Sequence, residues 1–428
     1  MSLGSSMATG ISGLEANGQA LSVISDNIAN VNTTGFKSSR GEFQNILAQD
    51  LMSSGTGAQI GRGATMAGVT NIFTQGSVTK SERSTDLAIS GNGFFMVKSH
   101  LGTTFTRDGS FRFDKEGWLT NLNGARVQAY EAHPNGKITG KITDIRIPYN
   151  TIPAKPTKGI EMHTNLDARL PISLPLDITR PEETAQFTSA IEVFDSIGNN
   201  HSLTMYFNKT GDSTWEWNAM TDGKSLAGGI AGEMTSVAQG ALNFDPTGKL
   251  LSSEQTINNT SFANGAIPDQ EMFFSFGDPI DEAGTGERGT TQYGSKNATF
   301  RNVQDGFGAG VLSDTSIDAD GLVTGVYTNG QNRMLGQLAV ARFEATERLS
   351  KLGENQFRES TLSGQPLIGK SNTNGRGVIM PKSIETSNVD LANEFVQMIK
   401  AQRGFQAAAK TVTSANEMLD EVINLKNR

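Results

Sequence analysis

The 428-residue sequence has no cysteine. That excludes disulfides, thiolate metal sites and a cysteine nucleophile. It also has no basic residue before Lys37. A secretory signal needs a positive n-region followed by an apolar run. Neither is present, so no cleaved signal peptide is expected, and by these signals alone the chain reads as cytosolic. No apolar run approaches the ~20 residues that span a bilayer, so no membrane insertion is expected. Positive charge is in deficit: 36 Lys and Arg stand against 44 Asp and Glu, a net charge of −8. Nucleic-acid surfaces are basic, so no nucleic acid is expected as a partner.

Catalytic and metal-binding patterns are equally sparse. The four histidines, His100, His133, His163 and His201, show no ligand spacing. The Asp318 loop begins like a calcium loop, but Asn329 holds the twelfth position where Glu is required. The Gly-rich runs lack the Lys-Ser/Thr of a P-loop, and no Gly-x-Ser-x-Gly elbow occurs. The expectation is no enzyme, no cofactor and no metal.

What is abundant is glycine, 48 of 428 residues, against a usual ~7%. That implies many turns and short strands. The length suggests two or three domains.

The ends of the chain carry helical patterns. Leu3, Met7, Ile11, Leu14, Leu21, Ile28 and Val31 recur in steps of three and four, with Gly18 in the stripe. Leu391, Phe395, Met398, Phe405, Ala409, Val412, Leu419 and Ile423 do the same, with Gln402 and Asn416 at two polar positions. Both approach heptads and read as coiled-coil seams. Ser387 is placed to cap the second helix, with Asp390 in its first turn. Gly4, Gly10, Gly13 and Gly18 each cost the first helix ~1 kcal/mol relative to Ala. These stripes fit a helix pair closing a monomeric domain, or a dimeric coiled coil. They also fit termini that order only when several copies pack together, which the weak first helix favours.

The stretch "SDNIANVNTTGFKSSRGEF" ends that first helix. Asn30, Asn32 and Gly35 mark the stop and the turn before Phe36, since Asn and Gly accept left-handed backbone. Asn27 is placed to be a buried register-fixing amide; Asn30 and Asn32 fit exposed capping amides equally well.

With "STDLAISGNGFFMV" and "SNVDLANEFVQMIKAQRGFQAAAKTV", this stretch resembles the rod and hook proteins of the bacterial flagellar axis. The total length and large central insertion are similar to the hook members; a distal rod-type member is the alternative, and a coiled-coil surface adhesin a more distant one. The resemblance implies a subunit that self-polymerises into a curved tube, the flexible universal joint between rod and filament. It implies self-assembly through Met7, Ile11, Leu14, Leu21, Ile28, Leu391, Phe395, Met398, Phe405, Val412, Leu419 and Ile423. Implied partners are other copies of the chain, a distal rod protein, a hook cap protein, a hook–filament junction protein and the flagellar type III export apparatus. The implied location is the extracellular hook, reached without a cleaved signal peptide.

The middle of the chain is β. Residues 35–84 read as a connector, which the resemblance makes an extended arm. "DLAISGNGFFMV" reads as strand, tight turn at Gly91-Asn92-Gly93, strand. A unit of Phe or Ile, Asp and a following Gly recurs at Asp114–Gly117, Asp195–Gly198, Asp245–Gly248 and Asp318–Gly321, which is repeated turn chemistry. Prolines cluster from Pro148 to Pro181, and a boundary is placed near Pro148. The expected fold is α+β, a terminal α-helical coiled-coil domain with nested, mainly antiparallel β domains inserted between the helices. The expected division is 1–34 with 385–428 as helical core, 35–84 as arm, 85–147 with 306–384 as first β domain, and 148–305 as inserted outer β domain.

Overall fold

The computed structural model describes residues 3–46, 49–50, 59–100, 102–133, 137–147, 151–257 and 260–426. Pro148, where the boundary was expected, lies outside them. The chain is mostly β, with one long helix near each end, and forms two compact units. One comprises Met1–Pro148, Asp314–Val326 and Asn332–Arg428; the other comprises Tyr149–Ser313 and Tyr327–Gln331.

In the first unit the helices run Leu3–Ala29 and Leu391–Lys426. The second starts one residue after Asp390, whose Oδ1 accepts the N–H groups of Ala392 and Asn393 at 2.9 and 3.3 Å. Asp390 is therefore the cap, and Ser387 instead accepts the N–H of Val389. Segment 35–84 includes a hairpin. Strand Ser39–Asn45 pairs antiparallel with Ala64–Asn71, and both strands lie against the N-terminal helix.

The main sheet follows. Leu322–Tyr327 pairs with Asn332–Leu338, then come Arg126–Ala132, Phe94–Ser99, Gly102–Thr106 and Gln356–Arg358. Ala129 opposite Leu338 joins segments on either side of the second unit in sequence. Its core holds Leu87, Phe95, Val97, Phe111 and Val340, all fully buried. Gly91–Gly93 does not close a hairpin. Leu87–Ser90 pairs with Val378–Pro381, while Phe94–Ser99 pairs elsewhere. The glycines let the chain change sheets, because a Cβ on Gly93 would sit 2.6 Å from Val340.

The second unit is built on a five-stranded antiparallel sheet, Phe187–Phe194, Asn200–Lys209, Thr214–Asp222, Met234–Phe244 and Leu250–Ile257. A three-stranded sheet of Phe273–Ser275, Gly159–Asn165 and Ala298–Gln304 completes it. Trp215, Trp217, Phe207 and Phe276 fill the core. Its two ends meet: Ile152 and Gly310 exchange N–H···O bonds at 2.8 and 3.1 Å.

The four Asp turns share one geometry. In each, the Asp Oδ1 accepts backbone N–H groups two and four residues on. The following Gly117, Gly198, Gly248 and Gly321 have φ of 83, 99, 86 and 75°, where a side chain would be strained.

Candidate assembly surface

The two terminal helices touch through small residues. A Cβ on Gly10 would lie 2.8 Å from Val412 Cγ2, and one on Gly13 would lie 3.3 Å from Ala408. Gly404 faces Asn17. Ala16, Ala401 and Ala415 are buried. Small residues bring the helix axes close, so large side chains are pushed to the outside of the pair. Gly18 has nothing within 4 Å and takes no part.

The seam residues of the sequence are distributed accordingly. Met7, Leu14, Leu21, Ile28, Met398, Val412 and Leu419 are half-buried. Ile11, Leu391, Phe395, Phe405 and Ile423 are exposed, Ile423 by 56%. Sequence periodicity missed Val396, Ile399 and Met418, which are exposed by 49, 57 and 57%. Apolar side chains thus surround the C-terminal helix instead of forming one intramolecular stripe. Fully burying such a side chain is worth ~1.5–3 kcal/mol, a gain one copy alone leaves unrealised.

Where the N-terminal helix ends, Asn27 and Asn30 bind backbone. Asn27 is 1% exposed. Its Oδ1 accepts the N–H of Ser39 at 2.9 Å, and its Nδ2 donates to Ser39 O at 2.8 Å and to Glu394 Oε1 at 3.1 Å. It therefore ties the helix, the hairpin and the C-terminal helix together. Burial pushes the Glu394 carboxyl above its usual range, against the bond from Asn27. Asn30 donates to Asp26 and accepts from Thr33, and Asn32 is exposed. Gly35 takes φ 67° and donates to Glu385 O at 2.8 Å. Its Cβ would fall 2.5 Å from Asp108 N, so only glycine fits. Phe36 is buried, with the Lys351 ammonium 4.6 Å from its ring centre.

Beneath this turn lies a buried ionic clasp. Glu385 receives Lys37 Nζ at 2.5 Å and Arg107 Nη1 at 3.3 Å, and all three side chains are almost fully buried. Lys37 also donates to Thr74 O, Arg107 to the carbonyls of Ile89 and Gly91, and Gly76 N–H to Glu385. Burial lowers the Lys37 pKa, with Glu385 pulling the other way and Arg107 adding to the fall. Burial likewise lowers that of Arg107, again opposed by Glu385. Asn388 completes the junction, accepting from Ser38 N–H and donating to Ile72 O. Sequence reading missed Lys37, Arg107, Glu385 and Asn388. The one available signal was Lys37, the first cation of the chain, standing inside the asparagine-rich motif.

Comparison with known proteins places these features. Residues 7–37 match the family described as flagella basal body rod protein, and residues 88–161 match the flagellar hook protein FlgE/F/G D1 domain. Residues 165–307 match the flagellar basal body protein FlaE D2 domain, and residues 380–425 the flagellar basal body rod FlgEFG protein C-terminal family. The chain is 34% identical to the flagellar hook protein FlgE of Treponema pallidum, over 98% of this chain and 99% of that one. It is also 34% identical to that of Borreliella burgdorferi, over 99% of each. The solved flagellar hook protein FlgE2 of Helicobacter pylori has a TM-score of 0.53 at 14% identity. That match covers 72% of this chain and 100% of that one, a likeness of fold.

Proposed function

The chain belongs to the flagellar hook protein family, and from that premise we propose how it builds a hook. It is a structural subunit of the flagellar hook, in a family that self-assembles. In our reading, the terminal helices of neighbouring copies pack as coiled coils into an inner tube. Met7, Ile11, Leu14, Leu21, Ile28, Leu391, Phe395, Met398, Phe405, Val412, Leu419 and Ile423 are the contact residues. The β units lie outside that tube and slide as it bends. The carrying observation is that small residues bring the two helices together while Ile11, Leu391, Phe395, Phe405 and Ile423 stay exposed. The nested division read from the sequence, with 35–84 as a connector, belongs to this proposal. So do export through the flagellar type III apparatus without a cleaved signal, and contacts with a distal rod protein, a hook cap protein and a hook–filament junction protein.

The test is Phe395→Asp, with Ile423→Asp as a second variant. Both side chains are exposed in the single copy, so the monomer should fold and melt as the parent does. In the tube each charge would be buried without a partner, a cost of several kcal/mol. Negative-stain images should show no polymer, and cells should build no hook. Hooks of ordinary length from both variants would rule out this surface.

A further inference from the structure

The sheet of the first unit carries a row of cations outside the assembly surface just described. Arg112 stands opposite Thr120, Thr120 opposite Arg126, and Arg126 opposite Lys98. Directly opposed residues share a face, so three cations project from one side across four neighbouring strands. Arg146 joins them through its bridge with Trp118. The guanidiniums of Arg126 and Arg146 lie 4.4 and 5.2 Å from the centre of the Trp118 ring, which holds them by cation–π attraction. All four cations are exposed. Like charges directly opposed on adjacent strands destabilise a sheet, and Arg126 and Lys98 are such a pair. Among the described residues a single carboxylate, Asp144, makes an ion pair with the row, 3.2 Å from Arg126.

The second unit has the opposite character. It holds twice as many Asp and Glu as Lys and Arg, whereas the first unit is close to balance. An open cleft of about 520 Å³ in it is lined by Glu161, Glu282 and Asp305 and by no Lys or Arg. Phe273, 51% exposed, stands on its wall. Glu161 and Asp305 have cationic partners, Arg301 and Lys155; no ion pair involves Glu282 among the described residues.

We propose that the basic row Lys98–Arg112–Arg126–Arg146 of one copy docks on the acidic cleft in the second unit of another copy. The contact is heterologous, so each added copy leaves one row and one cleft free, which lets a polymer continue. This rests on the reading that the chain polymerises, and adds to it an electrostatic contact between β units that sets the order of copies. Exposed charges are screened beyond roughly 8–10 Å at physiological salt, so the contact acts only on a close, matched neighbour.

The experiment polymerises the full-length chain at low and high salt and measures the critical concentration by sedimentation. Lys98→Glu combined with Arg112→Glu should raise it several-fold at low salt, and Glu282→Lys alone should raise it too. All three changes in one chain should bring it part of the way back toward the parent value, because the two new glutamates then meet one new lysine in the cleft. Thermal unfolding of the dilute monomers should not fall below the parent's, since these sites are exposed and Lys98→Glu replaces a like-charge pair with Arg126 by an opposite-charge one. The neutral pair Lys98→Gln and Arg112→Gln should give a smaller rise. Equal critical concentrations for all variants would overturn the proposal, and so would a triple variant that shows no recovery. Loss of binding to polygalacturonate with normal polymerisation would assign the row to an acidic polysaccharide, and would also overturn it. A parent chain that fails to polymerise under any condition would overturn the hook-subunit reading itself, a result distinct from those above.

Discussion

Replacing Glu385 by Gln keeps the shape of the clasp and removes its only anion. Lys37 and Arg107 would then face each other inside the first unit with no carboxylate between them. Removing one partner of a buried pair typically costs ~3–5 kcal/mol. Gln can still accept from one cation, and Lys37, whose pKa is already lowered by burial, can shed its proton. The lower part of that range is therefore expected. With about 2–4 °C per kcal/mol in a unit of this size, the first unit should melt about 6–12 °C earlier. Glu385→Ala, which also strips the N–H of Gly76 of its acceptor, should fall at the upper end. Thermal unfolding of the dilute full-length monomer, followed by circular dichroism and calorimetry, reads this directly. The second unit serves as an internal reference, because it holds none of the three residues. A triple replacement, Lys37→Met, Arg107→Met and Glu385→Met, should recover much of the loss, since apolar groups of similar volume can replace a buried ion pair at little cost. A Glu385→Gln variant melting within 1–2 °C of the parent would refute the reasoning.

Two further outcomes follow from local geometry. Gly10→Ala should destabilise the helix pair despite a propensity gain of ~1 kcal/mol, because the new methyl would meet the stiff Val412 side chain at 2.8 Å. Gly18→Ala, with nothing within 4 Å, should stabilise it, and urea titration of helical signal in the assembled protein separates the two. Asp195 should matter in acid. Burial opposes its ionisation, but His201, Asn199 and turn N–H groups outweigh that and hold its pKa down to about 2, from 3.8. Its contribution, about 2 kcal/mol, is present in full above pH 3.8 and is lost as pH falls through about 2. Asp195→Asn should flatten that part of the second unit's acid-unfolding curve.

The legible parts of this fold were those governed by neighbours in sequence. The Asp and Gly turns could be read because one carboxylate oxygen and one positive φ, two to four residues apart, fix them without help from the rest of the chain. The terminal helices were legible as helices for the same reason. The surfaces they use were not. Periodicity shows that Phe395 and Phe405 fall on apolar faces, but not whether their own chain or another covers them. That was decided by Gly10, Gly13 and Ala408, whose small size sets how closely the helices approach. The Gly91–Gly93 turn misled because a strand–glycine–strand pattern looks the same whether the strands pair with each other or with distant ones. The clasp was out of reach. Lys37, Arg107 and Glu385 are ordinary surface residue types, separated by most of the chain, and only the topology makes them a buried triad.

The rung between Ile152 and Gly310 has an engineering consequence. Directly opposed residues on antiparallel strands have Cα atoms about 5 Å apart, so the segment between Ile152 and Gly310 begins and ends at neighbouring points of the second unit, a short gap in the chain. Any compact domain whose own termini lie that close could be spliced into the gap without stretching what flanks it. The position is thus a ready-made socket for displaying a foreign domain along a regular polymer. It also suggests how natural sequences could lengthen, shorten or exchange this segment while the remainder of the subunit stays under separate constraint.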